Sequence, residues 1–235
     1  MNGAVRGARA DPLSRHGIVW RRAAFLAFAC LALAALTTSD DLHAALIEVA
    51  AASRELILLH PLAGALIFVL IAAVSAMFAF VSVAIAMPIA VYVWGEPLSL
   101  FLLWIGWIVG GAIAYRIARH LGRAVVHWLT ADRALRRIER RLRPDTPFRL
   151  ILLLQLGLPA ELSGYVLGLV KYPYLKFLCA LAIAELPYAI AAVYLGAGFL
   201  SARGGVVLLI GLAIMMLSVG AFYLLRRHMR SGISG

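Results

Sequence analysis

Residues 159–168 read "PAELSGYVLG", between "LILLLQLGL" (150–158) and "LVKYPYL" (169–175). A proline, a glutamate and two glycines interrupt an apolar run of membrane grade. Proline removes an N–H donor and bends a helix, and glycine permits turns. At membrane depth, broken backbone is tolerated only where protein buries it or where it lines a wet cavity. The stretch therefore reads as a place where the chain turns round.

The composition sets the frame for that reading. Of 235 residues, 64% are apolar and 14% charged, with a mean hydropathy of +0.95. Soluble domains carry about 25% charged residues, so a polytopic membrane protein is expected. The net charge of +11 comes from basic clusters between apolar runs. Such clusters suit cytoplasmic loops facing anionic headgroups, with no nucleic-acid partner. Cys30 and Cys179 lie in apolar runs without CxxC spacing, and the six histidines are scattered. No metal or cofactor is implied. No phosphate-binding glycine loop, HExxH or Gly-x-Ser-x-Gly occurs, and "ELSG" (161–164) has no partner histidine on a membrane helix, so an enzyme is not expected.

Along the chain, residues 1–22 form a basic cytoplasmic tail. Residues 23–58 hold an N-terminal transmembrane helix and an amphipathic interfacial helix, with a cleaved leader ending near Ala44 as the alternative. A core over 59–200 follows, then a final span and basic tail over 205–235. Residues 116–149 contain ten arginines against three acidic residues. The positive-inside rule places that segment, and the basic C-terminus, in the cytoplasm. A basic helix with Leu135, Ile138 and Leu142 on one face is expected to lie on acidic lipid.

Parity then fixes the layout. The chain leaves the cytoplasm after Arg149 and is back by Lys171, too few residues for two crossings. Residues 149–170 must be a re-entrant hairpin, followed by a span over 174–200. By the same count, 60–96 is a hairpin bending within 75–89, followed by a span over 97–118 and a cytoplasmic segment over 119–148. The expected fold is all-α: an inverted repeat of re-entrant hairpin plus transmembrane helix, with extra terminal spans. Broken helices in inverted repeats mark transporter binding sites. "YVWG" (92–95) and "YVLG" (165–168) echo the repeat, after Pro88 and Pro159.

An ionisable residue inside the bilayer is a functional candidate because its charged form is costly there. Glu161, Glu185 and Glu96 meet that description, with Gln155 beside the second break. Arg149 and Lys171 stand at the inner ends, where they suit an anionic group. Pro88, Pro159, Gly164 and Gly168 are assigned to the hairpins, and Gly106-x-x-x-Gly110 to close helix packing.

Two stretches, "GWIVGGAIAYRIARHLGR" (106–123) and "LGLPAELSGYVLGLVKYPYLKFLCALAIAELPYAIAAVYLG" (156–196), resemble the DedA family, whose shared region is also called the VTT or SNARE-associated domain. The resemblance covers about residues 60–200. It implies movement of polyprenyl-phosphate carriers or phospholipids between leaflets, in some members coupled to protons or membrane potential. Pro159, Glu161, Tyr165 and Gly168 match the family pattern. Leu153 and Leu156 stand where an arginine and a second proline are frequent, and Met87-Pro88-Ile89 replaces a Pro-Gly with a nearby acid.

The expectation is a flippase, scramblase or other transporter for a lipid or polyprenyl-phosphate carrier, with proton coupling through Glu161. The bacterial inner membrane is the expected site, anionic or phosphate-bearing lipids the partners, and self-association is left open. The alternatives are an ion-coupled small-solute carrier and a non-transporting membrane organiser acting through its basic helix.

Overall fold

The computed structural model describes residues 40–78, 83, 86–129, 142–157, 160–201 and 204–231. The expected helix over 23–36, most of the basic helix over 131–143, and Pro159 lie outside them. The described residues form helices and turns with no strand.

Among the described residues seven helices follow in order: α1 (Asp40–Leu59), α2 (Pro61–Met77), α3 (Ala86–Leu129), α4 (Phe148–Gly157), α5 (Ala160–Leu169), α6 (Tyr174–Leu200) and α7 (Gly204–Ser231). Proline at the first position pre-sets φ for α2, which stops at Phe78 in extended conformation (φ −127°, ψ 118°). The first interruption therefore precedes Met87-Pro88. Pro88 itself lies in the opening turn of α3, where a missing N–H costs nothing. α3 is three helical pieces joined at Gly95 (φ 75°, ψ 172°) and Gly122 (φ 73°, ψ −165°), backbone states that only glycine adopts freely.

Among the described residues, two helical stretches, Ala86–Gly122 and Tyr174–Leu200, are long and apolar enough to cross a membrane. α2 and α4, with 17 and 10 residues, rise only about 25 and 15 Å against a hydrocarbon core of about 30 Å. One face of α2 buries Phe68, Ala72, Ala73 and Ala76, whereas Leu62, Leu66 and Leu70 are 81%, 64% and 63% exposed. An exposed leucine row of that kind suits lipid better than water.

Packing fixes the helix directions. Tyr115 stacks on Phe177 at 4.7 Å, and Gly111 of α3 faces Leu181. Rising numbers on α3 thus meet falling numbers on α6, so the two run in opposite directions. α2 runs with α3: Val69 and Ala72 lie against Gly106, Ala73 against Gly110, and Met77 packs near Ala114. α5 also runs with α3, Gly164 meeting Gly111 and Gly168 meeting Tyr115 and Ala118. α4 runs with α6, packing Ile151 and Leu154 against Phe177 and Leu181. α4 and α5 therefore run opposite to one another.

These seams depend on missing side chains. A Cβ on Gly110 would stand 2.2 Å from the Ala73 carbonyl oxygen, and one on Gly168 2.3 Å from that of Tyr115. Gly164 and Gly168, expected to permit turns, are instead helical and form a contact face. Gly196 of α6 takes the backbone of Met87 in the same manner. Indole N–H groups need partners in apolar surroundings: Trp104 donates to the Ala182 carbonyl at 2.9 Å and Trp107 to the Ser75 hydroxyl at 3.2 Å.

The turn after α5 closes with Tyr172 N–H on the Leu167 carbonyl and Lys171 N–H on the Gly168 carbonyl, both at 3.0 Å. This paired pattern normally places glycine at the left-handed position. Here Lys171 occupies it with φ 56°, at a cost of about 1–2 kcal/mol.

Candidate functional site at the helix breaks

The end of α4 lies halfway along α6. The Tyr188 hydroxyl donates to the Leu156 carbonyl at 2.5 Å, and Gln155 Nε2 donates to the Phe177 carbonyl at 3.4 Å. A helix ending inside a protein leaves its last carbonyls without intrahelical partners, and Tyr188 satisfies one of them. Gln155 is 2% exposed, and its Oε1 has no hydrogen-bond partner. An amide oxygen in that position loses water without recovering a bond.

Glu185 lies on the same length of α6, one turn after Leu181 and one turn before Tyr188. It is 5% exposed and has an interaction partner. Pro187 has no N–H to offer the Ile183 carbonyl, so the intrahelical ladder is open beside the carboxylate. α6 therefore carries a polar stretch, Glu185 to Tyr188, at the level where α4 stops.

The end of the other interrupted helix meets α5. Tyr165 is fully buried and donates to the Met77 carbonyl, the last residue of α2, at 3.4 Å. The same cluster holds Ala114, Ala118 and Val166. The structure thus places Gln155 at the α4–α6 contact, Glu185 buried two turns further along α6 than Phe177, and Tyr165 where α2 ends against α5.

Other expected residues fall elsewhere. Glu161 occupies the first turn of α5, and its side chain is not among those described. Glu96 is partly exposed beside the Gly95 kink, away from the breaks. Arg149 and Lys171 are exposed at the end where α4 and α6 begin.

Sequence reasoning did not find Tyr188, whose partner is 32 residues away, nor a second assembly at the far end of α3. There Arg119 donates to the Tyr115 hydroxyl at 2.6 Å, and Tyr115 donates to the Tyr172 carbonyl. Arg116 lies 5.3 Å above the Tyr174 ring and Arg119 5.9 Å above Tyr115. Burial pushes the Tyr172 phenol up, keeping it neutral. Among the described residues no group of three or more His, Cys, Asp or Glu side chains is placed to hold a metal.

The VTT domain family model matches residues 80–198, from within the first interruption to the last turns of α6. No curated protein and no solved structure matches the chain. The matched region covers half of the sequence and contains both long apolar helices, both ends of the Tyr188 bond and the Gln155–Glu185 stretch. The chain is a membrane protein and belongs to the VTT domain family.

Proposed function

We propose that this protein moves a lipid or a polyprenyl-phosphate carrier between membrane leaflets. In this reading α2 with the chain after it, and α4 with α5, are re-entrant hairpins. They enter from opposite sides, and α3 and α6 are the spans of an inverted repeat. The observation that carries the proposal is Gln155: a buried, half-satisfied amide near the end of a helix too short to cross, packed against a long apolar helix that also carries a buried glutamate. A packed core would favour an apolar residue there. A passage for a polar headgroup needs such groups at that depth.

Glu161 and Glu185 are the proton-binding candidates, since a passing anion would be opposed by the charged form of either carboxyl. Arg149 and Lys171 meet the phosphate at the inner face. The test is leaflet translocation of a fluorescent lipid in liposomes holding wild type, Glu161→Gln, Glu185→Gln or Gln155→Leu. Transport should fall in each variant while the protein stays folded. Wild-type rates in Glu161→Gln and Glu185→Gln together would sink the role given to the carboxylates.

A further inference from the structure

We infer that Arg116, Arg119 and Lys171 form a recognition site for a phosphate group at the end of α3, separate from the helix breaks. The inference deepens the transport reading and rests on it only for its place in the transport cycle; binding is measured independently.

The argument starts from how the arginines are held. An arginine at a span end usually lays its stem along apolar surface and frees its head into water. Arg119 is fixed instead: its Nη1 donates to the Tyr115 hydroxyl, which donates onward to the Tyr172 carbonyl. Arg116, three residues earlier and so on the same face, rests over the Tyr174 ring. Both arginines are exposed, and no carboxylate pairs with either among the described residues. A guanidinium carries five N–H donors, and its planar fork matches phosphate oxygens two at a time. Among the described residues, one such donor, on Arg119 Nη1, is engaged.

Lys171 supplies an independent observation. It holds the left-handed position of the α5–α6 turn, where glycine fits without strain. Its peptide neighbour Tyr172 is the residue whose carbonyl anchors Tyr115 and, through it, Arg119. One turn, Lys171 to Tyr174, thus seats both arginines and adds a third cation. Three cations with no acidic partner among the described residues favour a doubly charged phosphomonoester over a zwitterionic headgroup.

The test uses the full chain in neutral detergent and native mass spectrometry. Dioctanoyl phosphatidic acid is titrated against dioctanoyl phosphatidylcholine. Wild type should prefer phosphatidic acid by about tenfold or more, with the preference near unity in Arg116→Gln/Arg119→Gln. Arg116→Gln alone leaves the Tyr115 bonds untouched and should lose about threefold, which covers the case of a misfolded double variant. Lys171→Gly should melt at a higher temperature yet bind phosphatidic acid about threefold more weakly, a split that a purely structural lysine would not give.

Displacement by sodium phosphate, beyond that by sodium chloride of equal ionic strength, identifies the free phosphate group as sufficient. Its failure to displace identifies a headgroup held by its acyl chains. Either result, with the preference present, supports phosphate recognition. A wild type without preference, or an unchanged preference in Arg116→Gln, overturns it. Preference without lipid movement upholds this site and defeats the transport reading; lipid movement without preference does the reverse.

Discussion

Replacing Gly168 with alanine tests the seam between α5 and α3. The new methyl carbon would stand 2.3 Å from the Tyr115 carbonyl oxygen and 2.8 Å from the Ala118 Cβ. Ordinary contact begins at 3.4 Å, so the helices must part by 3.4 − 2.3 = 1.1 Å. Neither neighbour is the tip of a flexible side chain. Overpacking of this kind costs about 1–3 kcal/mol, while better helix propensity returns at most about 1 kcal/mol. Tyr165 lies three residues earlier on α5, and its bond to Met77, already 3.4 Å long, would be lost with the shift. That adds about 1 kcal/mol, for a net loss of about 1–3 kcal/mol. The assay is thermal unfolding in detergent followed by tryptophan fluorescence. Gly220→Ala serves as control, because a Cβ there meets nothing within 4 Å. Gly168→Ala should melt several degrees below both wild type and the control. A midpoint within a degree of both would refute the close seating of α5 on α3.

Gly95→Ala should cost about 1–3 kcal/mol from backbone conformation alone, since the added Cβ would touch only Pro97 Cδ at 4.0 Å. Gly95→Asn should not restore it, because ψ 172° lies outside the left-handed helical region that asparagine tolerates; chemical denaturation of both variants checks this. Tyr188→Phe removes the donor to Leu156 and should cost about 1–3 kcal/mol in the same assay, whereas the exposed Tyr194→Phe should be silent. Gln155→Leu should leave the melting temperature equal or higher, since it removes an unsatisfied amide, while lowering lipid movement in liposomes. Tyr115→Phe strips Arg119 and the Tyr172 carbonyl of their partner together, and should be felt as faster amide exchange in the 170–173 turn.

The architecture was legible where it depends on local chemistry. A short apolar stretch beside glycine and proline gave the end of α4, because a missing N–H acts on the next turn, whereas α2 ends at Met77, ten residues before the Met87-Pro88 signal. Glu185 was legible as a buried carboxylate for the same reason: nothing on either side of it in α6 is polar until Tyr188. Contacts between distant residues were not. Tyr115 and Tyr172 are 57 residues apart, and nothing in "AYRIAR" announces a carbonyl waiting on another segment. Gly164 and Gly168 were misread in role, since a helical glycine serving as a seat has the same letter as one serving as a hinge; only the neighbour distinguishes them. Lys171 was hidden by the opposite problem, a left-handed position occupied by a residue that does not advertise it.

Two of the helices that cover α3, α5 and α6, are synthesised long after it. Ala118 waits 50 residues for Gly168, and Gly111 waits 70 for Leu181. At ribosomal speeds that interval is about 3–14 s. Throughout it, a nascent chain shows the bilayer a narrow face of glycine and alanine, the kind of surface on which membrane helices associate. A neighbouring nascent copy offers the same face and competes with α5 for it. Overproduction should therefore yield mispaired chains whose defect was set during insertion, and slowing translation should reduce them.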